Sequence, residues 1–262
     1  MSRKMLLLDI DGTTTGKQGV PQSAVDAIHR ARENGAVIAF FTGRPFKHID
    51  KEVLDIGFDG FISTMGAQIR ADGEVICDRS IPADVKDGVI AAVRKHHVDA
   101  AYEYATGIAF DNRVKSGFFL LGKLREVFGA KGLETEADIE SPDFRFEKLT
   151  VWYNEGADEK GFEEEISNYL DIVGKKQNMA EFSAKGISPH ESTLELMKHF
   201  GIRADDCYAF GDSINDMPFL SCAANTCAMG EASEEMKQQV SYVTAGLYED
   251  GLAKAIEHFG LI

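Results

Sequence analysis

Apolar residues fall along this chain in short solid runs, separated by stretches where they return every three or four positions. "MLLLDI" (5–10) stays uncharged until Asp9, and "AVIAFFTG" (36–43) and "GFISTMG" (60–66) repeat the form. Runs of this length predict strands buried on both faces. Between the first two lies "PQSAVDAIHRARENG" (21–35), where Ala24, Ile28 and Ala31 share one face and Gly35 is a stop signal. That spacing predicts an amphipathic helix. "RPFKHIDKEVLDIG" (44–57) predicts another before the third strand. Strand, helix, strand, helix, strand is the order of a parallel sheet with crossover helices.

The closing part repeats the pattern: helix in "ESTLELMKHFGI" (191–202), strand in "CYAFGD" (207–212), short helix in "INDMPFLSCA" (214–223), strand in "TCAMG" (226–230). The middle does not. After a hairpin around Asp72-Gly73, strands ("AAYEYATGIAFDN", "FEKLTVWYN") and helices ("DVKDGVIAAVRKHH", "ADEKGFEEEISNYLD") follow without alternation. The expectation is an α/β protein with a doubly wound, Rossmann-like core in two parts, 1–82 and 184–262. An α+β cap domain, 83–183, is inserted between them. His96-His97 is read as the end of a cap helix, where imidazolium suits the dipole, and not as a metal site.

Ligands of an open parallel sheet bind at the carboxyl ends of its strands. The first run ends in Asp9 and Asp11, the second in Thr42-Gly43-Arg44, and the late one in Gly211-Asp212, with Asn215 and Asp216 just beyond. Four carboxylates and a hydroxyl converging there make a hard-oxygen site of the kind that holds Mg²⁺ with a substrate phosphate. Gly12 lets the chain leave strand geometry, so Asp9 and Asp11 can face the same way. Asp9 is then placed to attack phosphorus, and Asp11 to give a proton to the leaving oxygen. Asp9, Asp212 and the Asp11 carbonyl would hold the metal, and Thr42 with the loop amides the phosphoryl oxygens. Asp216 is also read as an ordinary helix-terminal carboxylate, Ser213 as a helix cap, and Arg44 as either a substrate contact or a solvated side chain.

Composition narrows the partners. With 28 Lys plus Arg against 43 Asp plus Glu, a formal charge of -15 repels polyanions. No nucleic-acid or anionic-membrane partner is expected, while a small anionic substrate is still admitted by local positive charge. No uncharged apolar run approaches the ~18 residues of a membrane span, and Asp9 ends the first run too early for a signal peptide. The four cysteines have no metal-site spacing and read as free thiols. Cytoplasmic placement, as a monomer or small homo-oligomer, is the expectation.

"DIDGTTT", "FFTGRP" and "YAFGDSINDMPFL", in this order, resemble the haloacid dehalogenase superfamily of phosphohydrolases, and the insertion resembles its Cof-type branch. The resemblance covers essentially the whole chain. It implies a Mg²⁺-dependent phosphatase of small phosphorylated metabolites, a sugar phosphate by default, acting through an aspartyl-phosphate at Asp9. It adds Asp216 to the metal shell and makes Asn215 a phosphate-loop or lysine-orienting donor. The alternatives are a phosphometabolite-binding or regulatory protein with little turnover, and a phosphotransferase on the same scaffold.

Two positions depart from the family pattern. Met65 stands where Cof-type relatives carry an asparagine, and a thioether cannot donate a hydrogen bond. Pro189 stands where the family carries a lysine before its last motif. Helix logic there is intact, with Ser188 as N-cap, Pro189 at the first helical position and Glu191 closing a capping box. Lys185, four residues upstream beside Gly186, is the candidate replacement, with a solvated loop lysine as the other reading.

Overall fold

The computed structural model describes residues 3–113 and 119–262. Along the chain come β1 (Met5–Asp9), α1 (Gln22–Glu33), β2 (Val37–Phe41), α2 (Lys51–Leu54), β3 (Gly60–Ser63), β4 (Gln68–Ala71) and β5 (Glu74–Asp78). Next are α3 (Lys86–Lys95), β6 (Asp99–Tyr104), β7 (Gly107–Phe110), α4 (Phe119–Ala130), β8 (Lys148–Trp152), α5 (Glu159–Ile166), β9 (Leu170–Lys176) and β10 (Met179–Ala184). Last come α6 (Pro189–Phe200), β11 (Cys207–Gly211), α7 (Met217–Leu220), β12 (Asn225–Ala228), α8 (Glu234–Lys237), β13 (Tyr242–Val243) and α9 (Gly251–His258). They gather into two compact units. One comprises Met1–Gly43, Ile49–Cys77 and Ser188–Ile262; the other comprises Arg44–His48 and Asp78–Ile187.

The first unit is built on a sheet of order β13-β12-β11-β1-β2-β3-β4-β5. β1 lies inside it, parallel to both β2 and β11. Met5 to Leu8 are fully buried, which is why the run is solid rather than alternating. From β1 the order proceeds outward through β2 and β3 on one side and β11, β12 and β13 on the other. The direction of winding therefore reverses between β1 and β11, and such a reversal opens a crevice at the strands' carboxyl ends. α1 packs with α9, while α6 packs on β3, β4 and α7. Asp72 (φ 51°) and Gly73 (φ 84°) make the β4–β5 turn with two left-handed residues, as a two-residue hairpin requires.

One expected helix is interrupted. Over 44–57 there is a 3₁₀ turn at Phe46–His48, an extended Asp50, and only one turn of α-helix in α2. Arg44–His48 packs in the second unit and Ile49 onward in the first. His48 and Ile49 are both buried, so tertiary packing on two sides overrides the local periodicity.

The second unit carries an antiparallel sheet of order β7-β6-β8-β10-β9, with α3 packed on α5. Sequence reasoning missed α4 and the β9–β10 hairpin. α4 contains Gly122 and Gly129, poor helix formers, and is placed instead by Leu120, Leu121, Leu124 and Phe128 packing on Ala101, Ile108, Phe110 and Trp152. His96 is the C-terminal cap of α3, and its ring nitrogens lie 3.0 Å from Asp158 and 2.8 Å from Glu165. All four cysteines are free. Burial pushes the thiols of Cys207, Cys222 and Cys227 up to about 12, so these are inert; Cys77 is only half-buried. Among the described residues no helix is long and apolar enough to cross a membrane.

Candidate active site

In the sheet register Asp9 pairs with Phe41, and Leu8 pairs with Phe40 and Phe210. Asp9, Thr42 and Asp212 therefore leave three neighbouring strands at the same edge, flanking the winding reversal. Asp9 is 7% exposed and Thr42 2%. Beyond β1 the chain folds back tightly: the Thr14 hydroxyl donates to the Asp9 carbonyl at 2.6 Å. The amides of Thr14 and Thr15 both donate to the Ile10 carbonyl, at 3.0 and 2.9 Å. Sequence reasoning passed over this contact of Thr14 with the end of β1, because one of three consecutive threonines carries no distinguishing signal.

Three carboxylates meet here. Asp9, Asp212 and Asp216 each offer an oxygen, and these oxygens lie within 4.8 Å of one another. Two glycines make the approach possible. Gly12 sits at φ +94°, and a Cβ on it would overlap the Asp212 carboxylate; a Cβ on Gly211 would come within 2.7 Å of Asp216 Oδ2. Asp216 is the helix-terminal carboxylate that one reading expected, and it also lies in the acidic group. Its Oδ2 accepts from the amides of Asp212 (3.0 Å) and Ser213 (2.9 Å), and the Ser213 hydroxyl accepts from the Asn215 amide at 3.3 Å. This is a capping box, and the same carboxylate belongs to the cluster. Phe41 stacks on Phe219 of α7 with centroids 4.5 Å apart. Such a pair contributes about 0.5–1.5 kcal/mol beyond its buried area and ties the end of β2 to the Asp216 turn.

The electrostatics of this cluster are costly. Burial, then the negative fields of Asp216 and Asp212, push the Asp9 carboxyl well above the usual carboxylate range. Hard-oxygen donors set this close, Asp9 and Asp216 buried and Asp212 half-buried, fit a divalent cation, whose charge would reverse the repulsion. Asp11 is exposed, and its carboxylate is not part of the three-residue group. Its negative field nevertheless reaches Asp9 and adds to the upward shift there. Asn215 is half-buried beside Asp216.

At the third strand end the backbone is strained. Thr64 (φ 54°), Met65 (φ 56°) and Gly66 (φ 104°) are consecutive left-handed residues, a cost of about 1–3 kcal/mol for each residue other than glycine. Met65 is buried, and a Cβ on Gly43 would come within 2.9 Å of its sulfur.

Residues 6–256 match the family of haloacid dehalogenase-like hydrolases. The chain belongs to that family. Within it the chain stands with the phosphatases of small phosphorylated molecules. It is 25% identical over 262 residues to the 5-amino-6-(5-phospho-D-ribitylamino)uracil phosphatase of Bacillus subtilis, covering 98% of this chain and 96% of that one. A Streptococcus pyogenes relative, 24% identical, aligns over 99% of this chain, which spans only 54% of that protein's length. Among solved structures, a subclass IIB sugar phosphatase of the superfamily superposes with a TM-score of 0.79 at 28% identity, over 99% of this chain and 100% of that one.

The departures from the family pattern can now be placed. Ser188 caps α6 by accepting from the Glu191 amide at 3.4 Å, with Pro189 at the first helical position. The reciprocal Glu191 bond does not form among the described residues. Lys185 lies in the second unit, where its ammonium donates to the Ser167 carbonyl at 2.6 Å and stands 4.0 Å from Asp171. Arg44 also packs in the second unit, donating to the His48 carbonyl at 3.3 Å.

Proposed function

We propose that this haloacid dehalogenase-like hydrolase is a Mg²⁺-dependent phosphatase that acts on a sugar phosphate through an aspartyl-phosphate at Asp9. The observation that carries the reading is the convergence of the Asp9, Asp212 and Asp216 oxygens within 4.8 Å, at the strand edge shared with Thr42. The sugar-phosphate class rests on the naming of the subclass IIB relative; the phosphoribityl compound in the name of the Bacillus relative has the same polyol phosphate chemistry.

In this mechanism an Asp9 oxygen bonds to phosphorus as the ester oxygen departs, and Asp11 supplies that oxygen with a proton. Asp11 then takes a proton from water, whose oxygen attacks the phosphorus of the acyl phosphate and releases inorganic phosphate and the free Asp9 carboxylate. The Thr42 hydroxyl and the neighbouring amides orient the phosphoryl oxygens. Asp9, Asp212 and Asp216, with the Asp11 carbonyl, would hold Mg²⁺, which when bound offsets the repulsion between carboxylates and phosphate. Lys185 is a candidate for the missing family cation only if it gives up the Ser167 carbonyl.

The deciding experiment is a panel of phosphorylated metabolites, offered to the purified chain with Mg²⁺ and with chelator. Release of inorganic phosphate only with metal, fastest from sugar phosphates, is the expected result. Binding without turnover would favour a regulatory protein, and transfer to an added alcohol a phosphotransferase. Asp11→Asn provides a finer check. It should cost about 10²–10⁴-fold with alkyl phosphates and far less with nitrophenyl phosphate, whose leaving group needs no proton. Equal losses on both would remove Asp11 from that role.

Metal binding has its own readout. A raised Asp9 carboxyl sets proton and Mg²⁺ in competition for the same oxygens, so apparent metal affinity should rise with pH. In thermal melts, the upward shift in Tm given by Mg²⁺ should grow as pH is raised. An Asp212→Asn variant should lose most of the shift, and an unchanged shift there would argue against this cluster as the metal site.

A further inference from the structure

We propose that Met65 is a positioning residue for the phosphate-receiving loop, its side chain packing on Gly43 to hold Thr42–Gly43 in place. The proposal rests on the phosphatase reading and names a residue of this chain that the reading leaves without a role.

The backbone at Met65 is one that methionine does not choose. Thr64, Met65 and Gly66 all have positive φ, of 54°, 56° and 104°, and asparagine or glycine is favoured at such positions, β-branched residues least of all. The turn is kept in this shape from outside. The Ser192 hydroxyl donates to the Gly66 carbonyl at 2.8 Å in a buried bond. A Cβ on Gly66 would stand 2.8 Å from that hydroxyl oxygen and 3.2 Å from the Ser188 carbonyl, so α6 braces the turn at close range. The Met65 amide in turn donates to the Thr42 carbonyl at 3.2 Å, and the Thr42 amide donates to Ile62 at 2.9 Å. Both main-chain groups of Thr42 are thus held by this strand end.

The thioether adds a restraint on the next residue. A Cβ built on Gly43 would lie 2.9 Å from the Met65 sulfur and 3.6 Å from its Cγ, so an added methyl would force the buried Met65 side chain or the loop to shift. The path of contact runs from the first turn of α6 through Gly66 and Met65 to Gly43. An unbranched, polarizable side chain suits such an irregular gap, and with Met65 only 6% exposed it keeps water from that side of the loop. A shift of ~1 Å in a group that orients substrate commonly costs about 10²-fold in rate.

The test is a double-mutant cycle of Met65→Gly and Gly43→Ala in the full chain. kcat and KM for nitrophenyl phosphate and the affinity for orthovanadate would be measured at temperatures where melts show each variant folded. Gly43→Ala is expected to lose ~10² in kcat/KM and Met65→Gly ~10 or more. The double variant should be at least about tenfold better than Gly43→Ala alone, because removing the thioether makes room for the methyl. Vanadate affinity should fall alongside kcat/KM, and Met65→Leu, which keeps apolar bulk, should retain most of both. If Met65→Gly does not fold, Met65→Ala, which also removes the γ and δ atoms, takes its place with the same expected loss and rescue. Additive losses would overturn the proposal. So would a lowered Tm with unchanged vanadate affinity, since Met65 would then be structural only. A wild-type chain that binds vanadate but turns over nothing refutes the phosphatase reading, and vanadate affinity across the cycle then decides Met65; one that binds neither overturns both.

Discussion

Asp9→Asn is expected to lower kcat by at least ~10⁴, the scale on which covalent nucleophiles act, while the metal-free protein melts no lower than wild type. Asparagine keeps the volume of a side chain that is only 7% exposed, so packing is retained. What it removes is the charge needed to attack phosphorus and to hold a cation. The stability sign follows from the raised folded-state pKa of Asp9. A carboxyl whose pKa is raised by folding weakens the folded state at every pH above its unfolded value of about 3.9. Removing the carboxyl removes that penalty, so without metal the variant should melt higher at pH 7. Mg²⁺ should then stabilise it far less than wild type. Substantial turnover in a folded Asp9→Asn protein would refute the aspartyl-phosphate mechanism, and a lower metal-free Tm would refute the electrostatic account of the cluster.

The second large effect is expected at Gly12→Ala. Gly12 sits at φ +94°, and an added Cβ would overlap the Asp212 carboxylate. Backbone strain of this kind costs roughly 1–3 kcal/mol, but the displacement of Asp212 is the more damaging consequence. Mg²⁺ affinity should fall about 10–100-fold, as when the groups that orient metal ligands are disturbed, and kcat about 10²-fold with it. Gly35→Ala is the matched control. Gly35 has φ +88° and nothing within 4 Å of an added Cβ, so it should carry the stability penalty with wild-type kcat and Mg²⁺ dependence. Similar activity losses in the two variants would show that strain, and not the approach to Asp212, explains Gly12.

Much of this could be read before the fold was known. The solid runs at 5–10, 36–43 and 207–212 announced the buried parallel strands, and the carboxylates closing the first and last of them, Asp9 and Asp212, announced the acidic cluster, because charge at the end of a buried strand needs a partner. The Gly12 turn, the Ser188 cap and the Asp72-Gly73 hairpin were legible too, being local chemistry. The helix expected over 44–57 was not what formed, since its halves pack in different units. α4 was missed because its position comes from contacts with Trp152 and Phe110 and not from its own propensity.

The sequence by itself determined which residues stand at strand ends, and hence the acidic character of the site, because strand burial and turn chemistry act over a few residues. Only the tertiary structure decided which of those acids share a site. Asp9 and Asp212 are 203 positions apart, a separation read from their numbers. They meet because β1 and β11 pair in parallel, with Gly12 and Gly211 leaving room for Asp212 and Asp216. Asp11, two residues from Asp9, falls outside the group. The placement of Met65 on Gly43, against the preference of its own backbone, was likewise decided by α6 bracing the turn. Local preference at such a position amounts to a few kcal/mol at most, and packing between distant segments outweighs it.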